Sequence, residues 1–141
     1  MTIDTDSFET THEEMREHAG ALRDLAEEMP GLTEAERRAA HARVVDMLRN
    51  RVELNTRLDE WLLFPAVADR LGDPLVAVSM NYDHLAIRYW ISKIENTDPG
   101  DSVRLQRLLY GLDALIRVQV WKEEELFLAG LESSSRLTTA A

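Results

Sequence analysis

Residues 54–67 read Leu-Asn-Thr-Arg-Leu-Asp-Glu-Trp-Leu-Leu-Phe-Pro-Ala-Val, and this stretch decides the fold. Stepping through it by threes and fours gives Asn55, Asp59, Leu62 and Ala66 on one helical face. Extending the same row backwards adds His41, Val45, Leu48 and Val52. The row predicts one long helix from the capping signal Thr33-Glu34-Ala35-Glu36 to Leu71. Pro65 has no N–H and clashes with the preceding turn, so a kink or break is expected near it.

Three further helices follow from the same reasoning. Asp6-Ser7-Phe8-Glu9 resembles a helix start, and a helix from about Ser7 would end at Pro30-Gly31. Its apolar face holds Phe8, Met15, Leu22, Leu25 and Met29; that spacing puts His18 on the face and His12 on its flank. Gly72-Asp73-Pro74 opens a third helix, to about Glu95, whose inward row is Ala77, Met80, His84, Ile87, Ile91 and Ile94. After the turn-rich stretch Asn96-Thr97-Asp98-Pro99-Gly100, a fourth helix presents Leu105, Leu108, Leu112, Leu115 or Ile116, Gln119, Glu123 and Leu126. Gly130 is a suitable end for it. Short connections favour antiparallel neighbours, so the expectation is an all-α, up-down-up-down four-helix bundle. The boundaries expected are a flexible 1–6, a bundle over 7–130 and a disordered tail over 131–141.

At 141 residues the chain fits one domain with a real core. Its net charge of −10 disfavours nucleic acid and anionic membranes as partners. There is no cysteine, which excludes disulfides, thiolate metal sites and cysteine nucleophiles. No apolar run reaches the roughly 20 residues that span a bilayer. The acidic start MTIDTDSFETT does not read as a signal peptide, so the expected location is the cytoplasm.

The inward rows contain polar residues: His18, Asn55, Asp59, His84, Gln119 and Glu123. Buried polar groups need partners. Metal ligation is one way to satisfy them, because imidazoles and carboxylates suit iron, manganese and zinc, and helical bundles build such sites from inward side chains. A hydrogen-bonded core network is the other. Asp59 could pair with Arg57 or Arg88, and Glu123 lies in the charged run Glu123-Glu124-Glu125. Trp61, Trp90 and Trp121 read as packing residues.

These residues resemble the hemerythrin HHE cation-binding family over about Phe8 to Leu128. The family's first helix carries a histidine in a charged amphipathic context, matched by Met15-Arg16-Glu17-His18. Its second carries His-x-x-x-Glu-Glu before Leu-Phe-Pro; here the segment is Asn55-Thr56-Arg57-Leu58-Asp59-Glu60, then Leu63-Phe64-Pro65. Asp83-His84-Leu85 matches the third helix. The second His-x-x-x-Glu-Glu is met by Gln119-Val120-Trp121-Lys122-Glu123-Glu124, followed by Leu126-Phe127. An alternative register puts Val118 and Lys122 at those positions. The resemblance implies an iron-binding bundle that handles oxygen, redox state or iron. Three ligand positions depart from the pattern: Asn55 and Gln119 replace histidines, and Asp59 replaces a glutamate.

The resulting expectation is an altered centre of His18, Asp59, His84 and Glu123, with Asn55, Gln119 and Glu60 hydrogen-bonding in support. It would hold one or two irons and meet a small molecule or dioxygen. The alternatives are a metal-free descendant whose polar core binds a small molecule or does acid–base chemistry, and a haem held between His18 and His84. Whether the domain is an enzyme, and its oligomeric state, stay open in the sequence.

Overall fold

The computed structural model describes residues 5–139. The chain folds into an up-down-up-down bundle of four helices, with no strand among the described residues. The first helix, Thr5–Glu28, ends in a tight turn at Met29–Gly31, where Pro30 and Gly31 stop it. The second runs over 34–71. Thr33 caps it: its hydroxyl accepts from the Glu36 N–H while the Glu36 carboxylate accepts from the Thr33 N–H. Gly72 closes it in the left-handed conformation, φ 66°, which a residue without Cβ adopts freely. Asp73 Oδ1 then accepts from the Leu75 N–H and opens the third helix, Leu75–Glu95. The fourth, Ser102–Thr139, passes straight through Gly130. Helical backbone thus occupies most of the segment expected to be a disordered tail. Residues 1–4 and 140–141, within the two expected flexible ends, lie outside the described residues.

The second helix does not break at Pro65. It widens instead, into π turns at Leu48–Val52 and Asp59–Leu63. In the latter the Phe64 N–H bonds the Asp59 carbonyl five residues back. Pro65 offers no N–H to the turn before it, and the wider turn accommodates it without ending the helix. The π turns also move the inward row. Ala40, Val44, Leu48, Val52 and Thr56 are buried, each four residues on from the last. The expected row coincides with it only at Leu48 and Val52. Above them Ala40 and Val44 replace His41 and Val45; below, Thr56 replaces Asn55. His41 is half-buried, its Nε2 donating to the Ile94 carbonyl at 2.8 Å.

The bundle has two unlike halves. One is an apolar core in which Leu22, Leu48, Ile87, Ile91, Leu109 and Leu112 are wholly buried. It anchors all four helices. In the other half the same inward faces carry His12, Thr56, His84, Gln119 and Glu123, all buried. Among the described residues no helix is long and apolar enough to cross a membrane.

Candidate metal centre

Glu123 stands at the middle of the polar half, and the fourth-helix row explains why. Leu105, Leu109, Leu112, Ile116, Gln119, Glu123 and Phe127 are buried, while Val118 and Lys122 face solvent. Each oxygen of the Glu123 carboxylate meets an imidazole. His12 Nε2 lies 2.9 Å from Oε2, and His84 Nε2 lies 2.9 Å from Oε1. Gln119 Nε2 donates to Oε1 at 3.3 Å. Burial alone would raise the Glu123 pKa, but the hydrogen bonds with His12 and His84 outweigh it and hold the carboxyl below its ordinary range.

Asp59 closes the group from the second helix. Burial pushes its carboxyl up, and the neighbouring charge of Glu123, a hydrogen bond to Glu123 and the charge of Glu60 push it further. Two carboxyls this close cannot both stay ionised cheaply, so Asp59 keeps the proton of the pair.

Both imidazoles are held from behind. His84 Nδ1 lies 3.1 Å from the Thr56 carbonyl, which holds the ring with Nε2 toward the centre. Glu60 Oε1 is 3.4 Å from the same Nδ1 and accepts from Arg88. His12 has a parallel arrangement on the other side of the bundle. Its Nδ1 lies 3.4 Å from Glu124 Oε1, too poorly aligned for a hydrogen bond, and Glu124 is paired with Arg16. Each imidazole is thus backed by a glutamate–arginine pair. Aromatic rings seal the group: Phe8 sits 4.0 Å from the His12 ring and stacks on Phe127, and Phe64 sits 4.8 Å from the His84 ring. A small apolar pocket lined by Leu63, Phe64, Val67, Val76 and Leu126 borders Glu123.

Of the expected site residues, Asp59, His84 and Glu123 converge, with Gln119 and Glu60 beside them. His18 does not join them. It is half-exposed, its pKa lowered by burial, and its charged neighbours are Glu14, Arg51 and Glu17. His12, expected on the flank, takes the inward place. The signal was an unbroken spacing of Phe8, His12, Met15, Ala19, Leu22, Ala26 and Met29, in which two alanines mark the face as firmly as the larger residues. Asn55 is half-buried, turned from the centre by the shifted row. A haem between His18 and His84 would need both rings on one space, whereas His18 is half-exposed and His84 is buried against Thr56 and Glu123.

One atom each from His12, Asp59 and Glu123 lie within 4.8 Å of one another. Imidazole nitrogen and carboxylate oxygen bind a divalent cation such as zinc at about 2.0–2.2 Å, so donors across one ion stand roughly 4 Å apart. The set of three therefore fits a single ion with little movement, and His84 Nε2 approaches the other oxygen of the same Glu123 carboxylate. Two carboxylates and two neutral imidazoles would balance a divalent charge.

No curated protein and no solved structure matches the chain. The family model for the hemerythrin HHE cation binding domain matches residues 4–131. With that match over nearly the whole chain, the chain belongs to the hemerythrin HHE cation-binding family.

Proposed function

We propose that this domain holds one non-haem iron through His12, Asp59, His84 and Glu123 and uses it for oxygen or redox chemistry or for sensing oxygen. The observation that carries the reading is the convergence of both imidazoles on the two oxygens of Glu123, with Asp59 alongside. Bound iron would supply a redox couple and a Lewis-acidic position for a small ligand.

The chain's own residues supply the rest. Thr56 holds the His84 ring with Nε2 inward, and Gln119 steadies the Glu123 carboxylate. Phe8, Phe64 and Phe127 keep bulk water from the buried charges. The apolar cleft at Leu63, Val67 and Leu126 is too tight for a water molecule, so a small uncharged molecule would reach Glu123 there only as these side chains move. Asn55 and Gln119 stand where the family pattern has histidines, so the donor set is enough for one ion and short for two.

A metal-free network is the competing reading, supported by the hydrogen bonds of Glu123 with His12, His84 and Gln119. Elemental analysis with an optical spectrum, on protein expressed in iron-supplemented medium, separates them. About one iron per chain, lost in His84→Ala, is expected. Two irons per chain, another metal in its place, or no metal and no chromophore overturns the proposal.

A further inference from the structure

The third helix has a second apolar row that the bundle does not use. Leu75, Val78, Tyr82, Leu85 and Tyr89 are all exposed, Leu75 and Tyr82 at 69% each. Their spacing alternates threes and fours, the seam by which one helix packs on another. The inward row of the same helix is already spent on Met80, His84, Ile87, Ile91 and Ile94. The outer row is therefore not a by-product of the core.

Ion pairs join the third helix to both neighbours beside this row. Glu60 pairs with Arg88 on one side, and Lys122 with Asp83 on the other. Trp61 and Trp121, next in sequence to Glu60 and Lys122, are 63% and 61% exposed. They stand on the two helices that flank the third. Buried aromatic residues cover about 150–250 Å² each, so Tyr82 and Tyr89 at their exposures offer ~200–300 Å². Leu75, Val78 and Leu85 bring the face to ~500 Å² per partner, the size of a small specific interface. Patches of this size mark interaction sites.

Charge names the occupant. The chain carries −10, and its first helix holds eight acids against two arginines. From Leu75 to Lys93 the only charges are Asp83, Arg88 and Lys93, and the first two are paired within the bundle. Two strongly acidic molecules repel everywhere except through such a face. The row is also nearly balanced about Tyr82, with Leu75 and Tyr89 seven residues to either side and Val78 and Leu85 four before and three after.

We propose that this face is the interface of a two-fold homodimer, with the third helices antiparallel and the axis at Tyr82. Leu75 of one copy then lies against Tyr89 of the partner subunit, and Val78 against its Leu85. The contact is isologous and closes, so it stops at two copies.

Light scattering on a sizing column tests the proposal. The expected mass is twice the 16.1 kDa of the chain at ~100 µM protein, well above the micromolar Kd at the weak end for interfaces this large. Leu85→Glu should return the single-chain mass with an unchanged helical circular dichroism spectrum. Because the chain has no cysteine, Tyr82→Cys gives a clean second measurement. It should form a disulfide-linked dimer on mild oxidation, whereas Glu27→Cys on the first helix should not. A single-chain mass for the unaltered protein overturns the proposal. So does a dimer that persists in Leu85→Glu and fails to cross-link through Tyr82→Cys, or binding to uncharged phosphatidylcholine vesicles in place of self-association.

Discussion

His12 and Glu123 are 111 residues apart in the chain, and the first and last helices bring them to 2.9 Å. A histidine in this position is either a ligand or one half of a buried pair, and both roles make it irreplaceable by an apolar residue. His12→Ala and His84→Ala are each expected to lose most of the bound metal, while His18→Ala keeps it. Metal content per chain, measured on purified variants, checks this. In metal-free protein either alanine should cost about 1–3 kcal/mol in urea unfolding, because the buried Glu123 carboxylate loses one of its partners.

Metal binding should release a proton. Asp59 holds one in the metal-free protein because burial and Glu123 both oppose its charge. A cation taking that oxygen must displace it. Titration calorimetry in two buffers of different ionisation enthalpy at neutral pH is expected to show the release, and Asp59→Asn to reduce it along with affinity.

The same carboxyl sets a pH dependence in metal-free protein. The folded-state pKa of Asp59, about 9, lies above its ordinary 3.8. Its contribution is therefore fully present below the ordinary value and is lost as pH rises through the folded value. Glu123 has the opposite sign: its contribution is present above 4.5 and is lost as pH falls toward about 2. The melting temperature of the unaltered chain should fall between roughly pH 4 and 9 and level off above that, and Asp59→Asn should flatten the decline.

Glu60 and Glu124 are expected to act through the imidazoles they back. Glu60→Gln and Glu124→Gln should each weaken metal affinity about 10–100-fold while leaving the circular dichroism unchanged. A competition titration with a coloured chelator reads the difference.

Away from the site, Trp90 lies on Gly111. A Cβ built at Gly111 would come within 2.3 Å of the indole ring. Gly111→Ala should cost about 1–3 kcal/mol through overpacking, and pairing it with Trp90→Leu should recover part of that loss. Thermal unfolding of the single and double variants checks the coupling.

The four helices were legible in the sequence because their signals are local: the Thr33 capping box, the Gly72 stop, and the regular inward rows of the third and fourth helices. Family membership was legible from His84, Glu123 and the Leu63-Phe64-Pro65 run. His12 was not, because the large apolar residues of the first helix fit two faces about 100° apart, and only the small Ala19 and Ala26 distinguish them. The inward turn of Thr56 in place of Asn55 could not be read from an α-helical period, since it follows from a π turn. Nor does helical periodicity reveal the backing of His12 by Glu124 and Arg16, which depends on how the first and last helices meet.

The widened turn at Asp59–Leu63 has a consequence at the level of the gene. Insertions and deletions are ordinarily tolerated in loops, and the stretch 96–100 should accept one codon more or less. Inside the second helix the wide turn already carries about one residue more than regular winding needs, so one codon lost between 59 and 63 would be absorbed, whereas one lost from the regular turns at 53–58 would swing everything beyond it by about 100°. Phe64 would leave His84, and the pocket beside Glu123 would lose its second-helix wall. Inheritance of a working centre therefore depends on the reading length of this segment as much as on which residues it encodes.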